Sequence, residues 1–280
     1  MIDEDFFLNI EKLAAPTKLN GSFFLGRSFK NDALNELNSY ILSYASEKSF
    51  IEIEGGFRNW ARVIEYPYIF SQIGKYINIR VKENSGKQIK TFDNACGYTA
   101  ISSLLAKAGL DVVGTDFVDH GKRWKTYIKS IRGSMNFQQA NSEELPFDNE
   151  QFDVSFSLSA IEHMNNPQKA LKEMIRVTKK GGLISLTFDV ASKMSGNYRA
   201  DNLKINNCNF EELLSIINKD CEYFSKPKIT HPDDYLSSYS DNFKVGTLRK
   251  VISKTLYKFR SKSYPANFYI FGGTWRKKFK

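Results

Sequence analysis

The sequence predicts an α/β fold, a mostly parallel sheet wound on both faces by helices, and three observations predict it. Strand and helix signals alternate between residues 88 and 190, the strands end in small or acidic residues, and the helical stretches run into glycine. "QIKTFDNA" (88–95) reads as a strand, "AISSLLAKAG" (100–109) as a helix closing on glycine, and "DVVGTDF" (111–117) as a second strand. "FDVSFSLSA" (152–160) is the next clear strand. "PQKALKEMIRVTKK" (167–180) is a helix expected to stop at Gly181 and Gly182, and "LISLTFDV" (183–190) is the strand that follows it.

The flanks extend this core. Ahead of it, "NDALNELNSYILSYASEK" sets Leu34, Leu37, Tyr40, Ile41 and Tyr44 on one helical face, with Asn31 as N-cap. Behind it, "NFEELLSIINK" opens with Asn209 and has Glu212 three residues later, the pattern of a capping box. The aromatic "NFYIFGGTW" (267–275) reads as a closing strand.

A chain of 280 residues that is 41% hydrophobic buries a substantial core, and 22 Phe with 14 Tyr supply aromatic packing. Three cysteines, odd in number and far apart, fit a reducing compartment. The start "MIDEDFFLNI" is acidic where a signal peptide is basic, and no apolar run approaches the ~20 residues of a membrane span. A cytoplasmic protein is expected.

The net charge of +9 is concentrated at one end, since eleven Lys and Arg and no acid follow from Lys244 onward, leaving the rest near −2. In "VGTLRKVISKTLYKFR", Val245, Leu248, Ile252, Leu256 and Phe259 recur at helical spacing, with Arg249, Lys250, Lys254, Lys258 and Arg260 displaced from them. The commoner reading of such a stripe is burial against the domain with the lysines solvated. The other is a basic amphipathic helix lying on an anionic membrane, a peripheral contact at the inner membrane face.

In an open parallel sheet, ligands bind at the carboxyl ends of the strands. The loop "DNACGYTA" stands there, with small residues Ala95, Gly97 and Thr99 letting backbone N–H groups approach a ligand. Asp116 ends the second strand, where a carboxylate accepts the hydroxyls of a ribose; the plain alternative is a solvated strand-end acid. The three Cys and three His lack the spacing of a zinc site.

The succession "TFDNACGYTA", "DVVGTDF", "NSEELPFDNEQFDVSFSLSAIEHM" and "EMIRVTKKGGLISLTFD" resembles the class I S-adenosylmethionine-dependent methyltransferases, in particular the small-molecule group called methyltransferase type 11. The resemblance covers residues 88 to 190 and departs from the usual first motif by carrying Ala95 and Thr99 in place of glycine. It implies a Rossmann-like, doubly wound sheet of seven strands. It also implies three parts: a helical N-terminal extension over 1–87, a cofactor-binding core over 88–190, and a C-terminal part over 191–280 with an acceptor-side insertion.

The resemblance also implies site roles, with S-adenosylmethionine as cofactor and S-adenosylhomocysteine as product. Asp93 and the backbone of Ala95 and Gly97 would hold the methionine end, Asp116 the ribose, and Phe117 the adenine face. Asn141, beside Ser142, would meet the adenine amino group, and the main-chain carbonyl of Ser157 would accept from the cofactor's amino group. His163 stands where related enzymes carry a histidine base; the alternative is a helix-start His beside Glu162 making surface hydrogen bonds. Upstream, "RVIEYPYIF" (62–70) is similar to a segment of methyltransferases associated with surface polysaccharides, and there Arg62 would pair with the cofactor carboxylate. Equally, Arg62 and Glu65 form a helical surface pair, with Tyr66, Tyr68 and Phe70 in the core.

The expected activity is methyl transfer to a small-molecule or glycan-type acceptor, at oxygen, by direct displacement. Two rivals stand beside it. A nucleic-acid methyltransferase suits the basic charge, but "SLSA" lacks the Asn/Asp-Pro-Pro-aromatic sequence of the amino-directed base methyltransferases, so nucleic acid is disfavoured as a partner. A non-catalytic binding protein on the same fold accords with Ala95 and Thr99.

Overall fold

In the computed structural model the described residues are 1–17, 19, 23–25, 32–45, 62–83, 88–97, 100–124, 131–191, 209–225 and 268–279. In chain order they form α1 (Glu4–Ala14), β1 (Phe23–Leu25), α2 (Asp32–Ala45), α3 (Arg62–Lys82), β2 (Lys90–Asn94), α4 (Ile101–Lys107) and β3 (Asp111–Asp116). There follow the single turn α5 (Gly121–Trp124), β4 (Ser134–Gln139), β5 (Phe152–Leu158), α6 (Pro167–Val177), β6 (Thr178–Ala191), α7 (Phe210–Asp220), β7 (Cys221–Tyr223) and β8 (Phe268–Lys277). Asn31, Thr99, His231, Cys208 and the amphipathic stretch 245–260 lie outside the described residues.

One sheet runs in the order β4-β3-β2-β5-β6-β8, and its last edge is shared by two short strands. β1 pairs with Ile270–Gly272 of β8, and β7 with Trp275–Lys277 of the same strand. The sheet therefore has seven ranks, the seventh split in two. β2 to β6 are mutually parallel, and β8 returns antiparallel along β6.

Helices cover both faces, as the alternation of strand and helix requires. On one face, Phe6 and Ile10 of α1, Leu37 of α2, Ile73 of α3 and Leu104 of α4 pack with Val154 and Phe156 of β5 in one apolar cluster. On the other, Leu171 and Met174 of α6 and Ile217 of α7 pack with Phe92, Ile184 and Phe271. Each such side chain taken out of water contributes about 1.5–3 kcal/mol. α1 forms because Asp3 caps it, accepting from the Phe6 N–H at 3.1 Å, and because Phe6, Phe7, Ile10 and Ala14 recur on one face. α3 is buried around much of its circumference: Tyr66, Tyr68, Ile69, Phe70 and Ile77 are enclosed, and so are the polar Glu65, Ser71, Gln72 and Asn78.

The structure differs from the expectations at three places. α6 ends at Val177, and Thr178 to Lys180 already belong to β6. Gly181 and Gly182 sit in an irregularity of the β5–β6 ladder, where Phe152 faces Thr178 but Val154 faces Leu183. Gly181 is left-handed at φ 73°, and a Cβ on Gly182 would lie 2.8 Å from the Lys179 carbonyl, so these glycines serve a bulge and not a helix stop. Asn209 precedes α7 but its side chain makes no capping hydrogen bond, because its backbone is already helical at φ −108°, ψ −4°. β4 had no counterpart among the expected strands.

Candidate active site

The site begins at the tip of β2. Asp93 and Asn94 end that strand fully enclosed, and Asp93 accepts a hydrogen bond from the Ser102 hydroxyl of α4. Burial pushes the Asp93 carboxyl up to about 7, against the opposing effect of that hydroxyl. The chain then turns through Ala95 at φ 57° and Gly97 at φ 50°, both left-handed. A Cβ on Gly97 would meet nothing within 4 Å, so it is backbone conformation that favours glycine there. Ala95 occupies the same region without glycine's freedom, so the departure noted in the sequence preserves the loop's shape at the cost of local strain.

Asp116, at the tip of β3, fastens this loop. Its Oδ2 accepts from the Gly97 N–H at 2.9 Å, its Oδ1 from the Val118 N–H at 3.0 Å, and the His120 Nε2 lies 3.5 Å from Oδ1. The Cys96 N–H donates to the Thr115 carbonyl at 2.8 Å, a second tie between the loop and β3. A carboxylate has about four acceptor positions, so capacity remains toward the cavity. Phe117 follows with 73% of its surface exposed.

A cavity of about 510 Å³ opens at these strand tips, within the size range of small-molecule and cofactor sites. Of the residues singled out from the sequence, it brings together Arg62, Ala95, Gly97, Asp116, Phe117, Asn141, Ser142 and His163. Asp93 and Ser157 do not line it. Asp93 lies beneath the loop, and Ser157 is enclosed in β5 with its hydroxyl donating to the Asn94 carbonyl at 3.1 Å. Asn141 spends acceptor capacity on its own turn, its Oδ1 taking the Glu143 N–H at 3.0 Å.

Sequence reasoning missed several wall residues. Cys96, Glu143, Leu158, Ser159, Ala160 and Met164 also line the cavity. Their signal was only adjacency to residues already chosen. Burial, with the nearby Asp93 and Asp116 carboxylates, pushes the Cys96 thiol far up, so it is a neutral wall group and not a nucleophile. The Glu143 carboxylate accepts from the Asn166 N–H at 2.8 Å, tying the loop after β4 to the turn that carries His163.

His163 ends a short 3₁₀ turn, Ile161–His163, that follows β5. It stands exposed at the cavity mouth, while burial against the wall lowers its pKa below the ordinary imidazole value. Glu162 is not its surface partner. It is fully enclosed, accepts from the Asp189 N–H at 2.9 Å, and burial beside the Asp189 carboxylate raises its pKa well above the usual range. Asp189 is half-buried in β6 and does not line the cavity.

Arg62 and Glu65 do pair, at 2.7 Å, but not as a surface pair. The Glu65 side chain is 0% exposed, and it also accepts from the Ser159 hydroxyl. Tyr66, Tyr68 and Phe70 are enclosed, as the core reading expected.

A second cavity, of about 310 Å³, lies at the opposite rim of the sheet between Lys172, Arg176, Lys219, Asp220, Lys277 and Lys278. Lys277, Lys278 and Arg176 are engaged with backbone. Lys277 Nζ donates to the carbonyls of Ile175 at 2.8 Å and Thr178 at 2.7 Å, and Lys278 Nζ to those of Asn218 at 2.8 Å and Lys219 at 3.0 Å. These carbonyls end α6 and α7, so the lysines cap helix C-termini.

Residues 92–186 match the family model of a methyltransferase domain. About a third of the chain is thus similar to a methyltransferase domain. Over 97 residues it is 38% identical to a demethylmenaquinone methyltransferase of Renibacterium salmoninarum, a match covering 33% of this chain and 38% of that protein. Over 125 residues it is 30% identical to a ubiquinone biosynthesis O-methyltransferase of Pelagibacter ubique, covering 43% and 50% respectively. The chain thus spans half or less of the length of these curated relatives. In fold it is similar to a solved Galdieria sulphuraria protein assigned as a sarcosine dimethylglycine methyltransferase, with a TM-score of 0.50 and 15% identity over 78% of this chain and 88% of that one. Among the described residues, no helix is long and apolar enough to cross a membrane.

Proposed function

We propose that the chain is an S-adenosylmethionine-dependent methyltransferase that methylates an oxygen of a small-molecule or glycan-type acceptor. The observation that carries this reading is one cavity, at the carboxyl tips of β2, β3 and β5, in which Arg62, Asp116, Phe117 and His163 stand together. The donor set suits the cofactor: a cation for its carboxylate, a strand-tip carboxylate for its ribose, and an exposed aromatic ring for its adenine. When bound, the cofactor supplies an electrophilic methyl group on a sulfonium.

The residues of the chain then have distinct tasks. Asp116 accepts ribose hydroxyls with the capacity that Gly97 and Val118 leave to it, and Phe117 offers its ring face to the base. Leu158 and Met164 form an apolar wall that keeps water from the reacting atoms. His163, whose pKa is lowered below the ordinary imidazole value by partial desolvation, takes the proton of the acceptor hydroxyl as the neutral base. Alignment is the larger part of the work in a direct displacement. An oxygen acceptor accords with the O-methyltransferase named among the relatives. A glycan-type acceptor rests on the Arg62–Phe70 segment and its likeness to polysaccharide-associated enzymes.

Calorimetry with S-adenosylhomocysteine tests the cofactor half of the reading. Wild type should take it up, and Asp116→Ala should bind it about 10- to 100-fold more weakly, since hydrogen bonds to a charged group contribute roughly 1.5–3 kcal/mol. No heat from wild type would end the case. A mass screen for the gain of one methyl group on candidate sugars and lipid-linked glycans tests the acceptor half.

A further inference from the structure

We propose that Glu65, which does not touch the cavity, is the positioning residue of its anion-binding end, holding the Arg62 guanidinium against the strand tip at Ser159. This rests on the cofactor reading above and names the residue through which Arg62 acts. Glu65 lies in the first turn of α3 with a side chain 0% exposed, and carboxylates are almost never fully buried unless paired. Here both oxygens are used. Oε2 accepts from Arg62 Nη1 at 2.7 Å, and Oε1 accepts from the Ser159 hydroxyl.

Both of those partners line the cavity, while Glu65 itself lies behind the wall. They also come from different parts of the chain. Arg62 opens the helix that precedes β2, and Ser159 follows β5 in a left-handed turn, φ 47°, its N–H donating to the Thr187 carbonyl at 2.9 Å. A serine in that conformation is strained. One carboxylate thus locks a strained strand tip and a cation to each other. The guanidinium carbon stands 5.9 Å from the centre of the Tyr66 ring, which limits its swing on the other side.

Stability alone does not explain this arrangement. Desolvating an ion pair offsets much of its attraction, and an apolar residue at position 65 would enclose as well without that penalty. What an apolar residue would lose is the fixed place of the guanidinium. A guanidinium held in place at the cavity wall suits a ligand anion, which in the cofactor is the carboxylate of its amino-acid part.

Two ligands separate the possibilities: S-adenosylhomocysteine, which has that carboxylate, and 5′-methylthioadenosine, which lacks the amino-acid part. Both are titrated calorimetrically into wild type, Glu65→Gln, Arg62→Gln and the double variant. Each single variant should weaken S-adenosylhomocysteine roughly tenfold and leave 5′-methylthioadenosine within about twofold. The double variant should be no weaker than Arg62→Gln alone, because Glu65 acts through Arg62. Equal weakening of both ligands, additivity in the double variant, or no change in Glu65→Gln overturns the inference while leaving the cofactor reading intact. A wild type that takes up neither ligand sinks both. If Glu65→Gln does not fold, Ser159→Ala removes one of the two contacts of the carboxylate. It should weaken S-adenosylhomocysteine about threefold and spare 5′-methylthioadenosine, and an unchanged affinity overturns the inference.

Discussion

The two rims of the sheet hold charge for different ends. At the carboxyl tips of β2, β3 and β5, Asp116, Arg62 and His163 line a cavity, and Asp116 and Arg62 are steadied there by Gly97, Val118 and Glu65. At the opposite rim, Lys277 and Lys278 point into the ends of α6 and α7 and bond their last carbonyls, while Lys179 pairs with Asp153 at 2.9 Å. Arg176 likewise bonds the carbonyls of Leu145 at 3.0 Å and Phe147 at 2.7 Å. The second rim is the more cationic, yet the charges of Lys277, Lys278, Arg176 and Lys179 are absorbed by the fold. What marks a site, then, is a polar group whose partners fix its direction without using it up.

The sharpest way to break this contrast is at His163. His163→Gln should lower kcat by about 10²- to 10⁴-fold, the span of general base catalysis, and leave the affinity for S-adenosylhomocysteine unchanged. The pH dependence has a definite sign. The base is the neutral imidazole and burial lowers its pKa, so the acid limb of the rate profile should fall below the ordinary imidazole value and vanish in the variant. A variant with wild-type kcat would place His163 with the structural charges of the other rim.

Lys277 is the converse case. Lys277→Met keeps the stem and removes the ammonium, leaving the Ile175 and Thr178 carbonyls without that donor in a half-buried place. The expected loss is about 1–3 kcal/mol of stability, seen as a lower thermal midpoint, with cofactor affinity unaltered. A change in affinity would mean that the two rims are coupled and the contrast drawn between them is false.

How much of this was legible in the sequence follows from where each residue sits. β2, β3, β5 and β6 announced themselves because buried parallel strands are apolar runs that end abruptly in small or acidic residues. β4 did not, because "SMNFQQ" is an edge strand with little enclosed side chain, and β1 and β7 are three residues each, defined only by pairing with β8. At the site, Asp116 was found because it ends a readable strand, and Phe117 and His163 because the resemblance places roles on the segments that follow such strands. Glu65 was not, since its burial depends on α3 packing against the sheet tip at Ser159, a contact 94 residues distant in sequence. The Gly181–Gly182 pair misled for a related reason: glycine marks a backbone need, and only the ladder shows that the need is a bulge.

The smallest effect is expected at Ala95, where the two demands of the cavity rim meet: a left-handed turn and a short side chain. Ala95→Gly removes a left-handed penalty of roughly 1–2 kcal/mol but also loosens the unfolded chain, which costs about 0.4–1 kcal/mol. The net gain should be between about 0 and 1.6 kcal/mol, a rise of at most a few degrees in thermal midpoint. Cofactor affinity should change little, because the alanine backbone already holds the turn that glycine would take. If affinity instead rises tenfold, the methyl group of Ala95 obstructs the ligand, and the loop is a compromised version of the cavity wall. If stability falls, the left-handed turn is not the resting shape of the loop, and the hydrogen bond from Gly97 to Asp116 forms only when a ligand draws the two tips together.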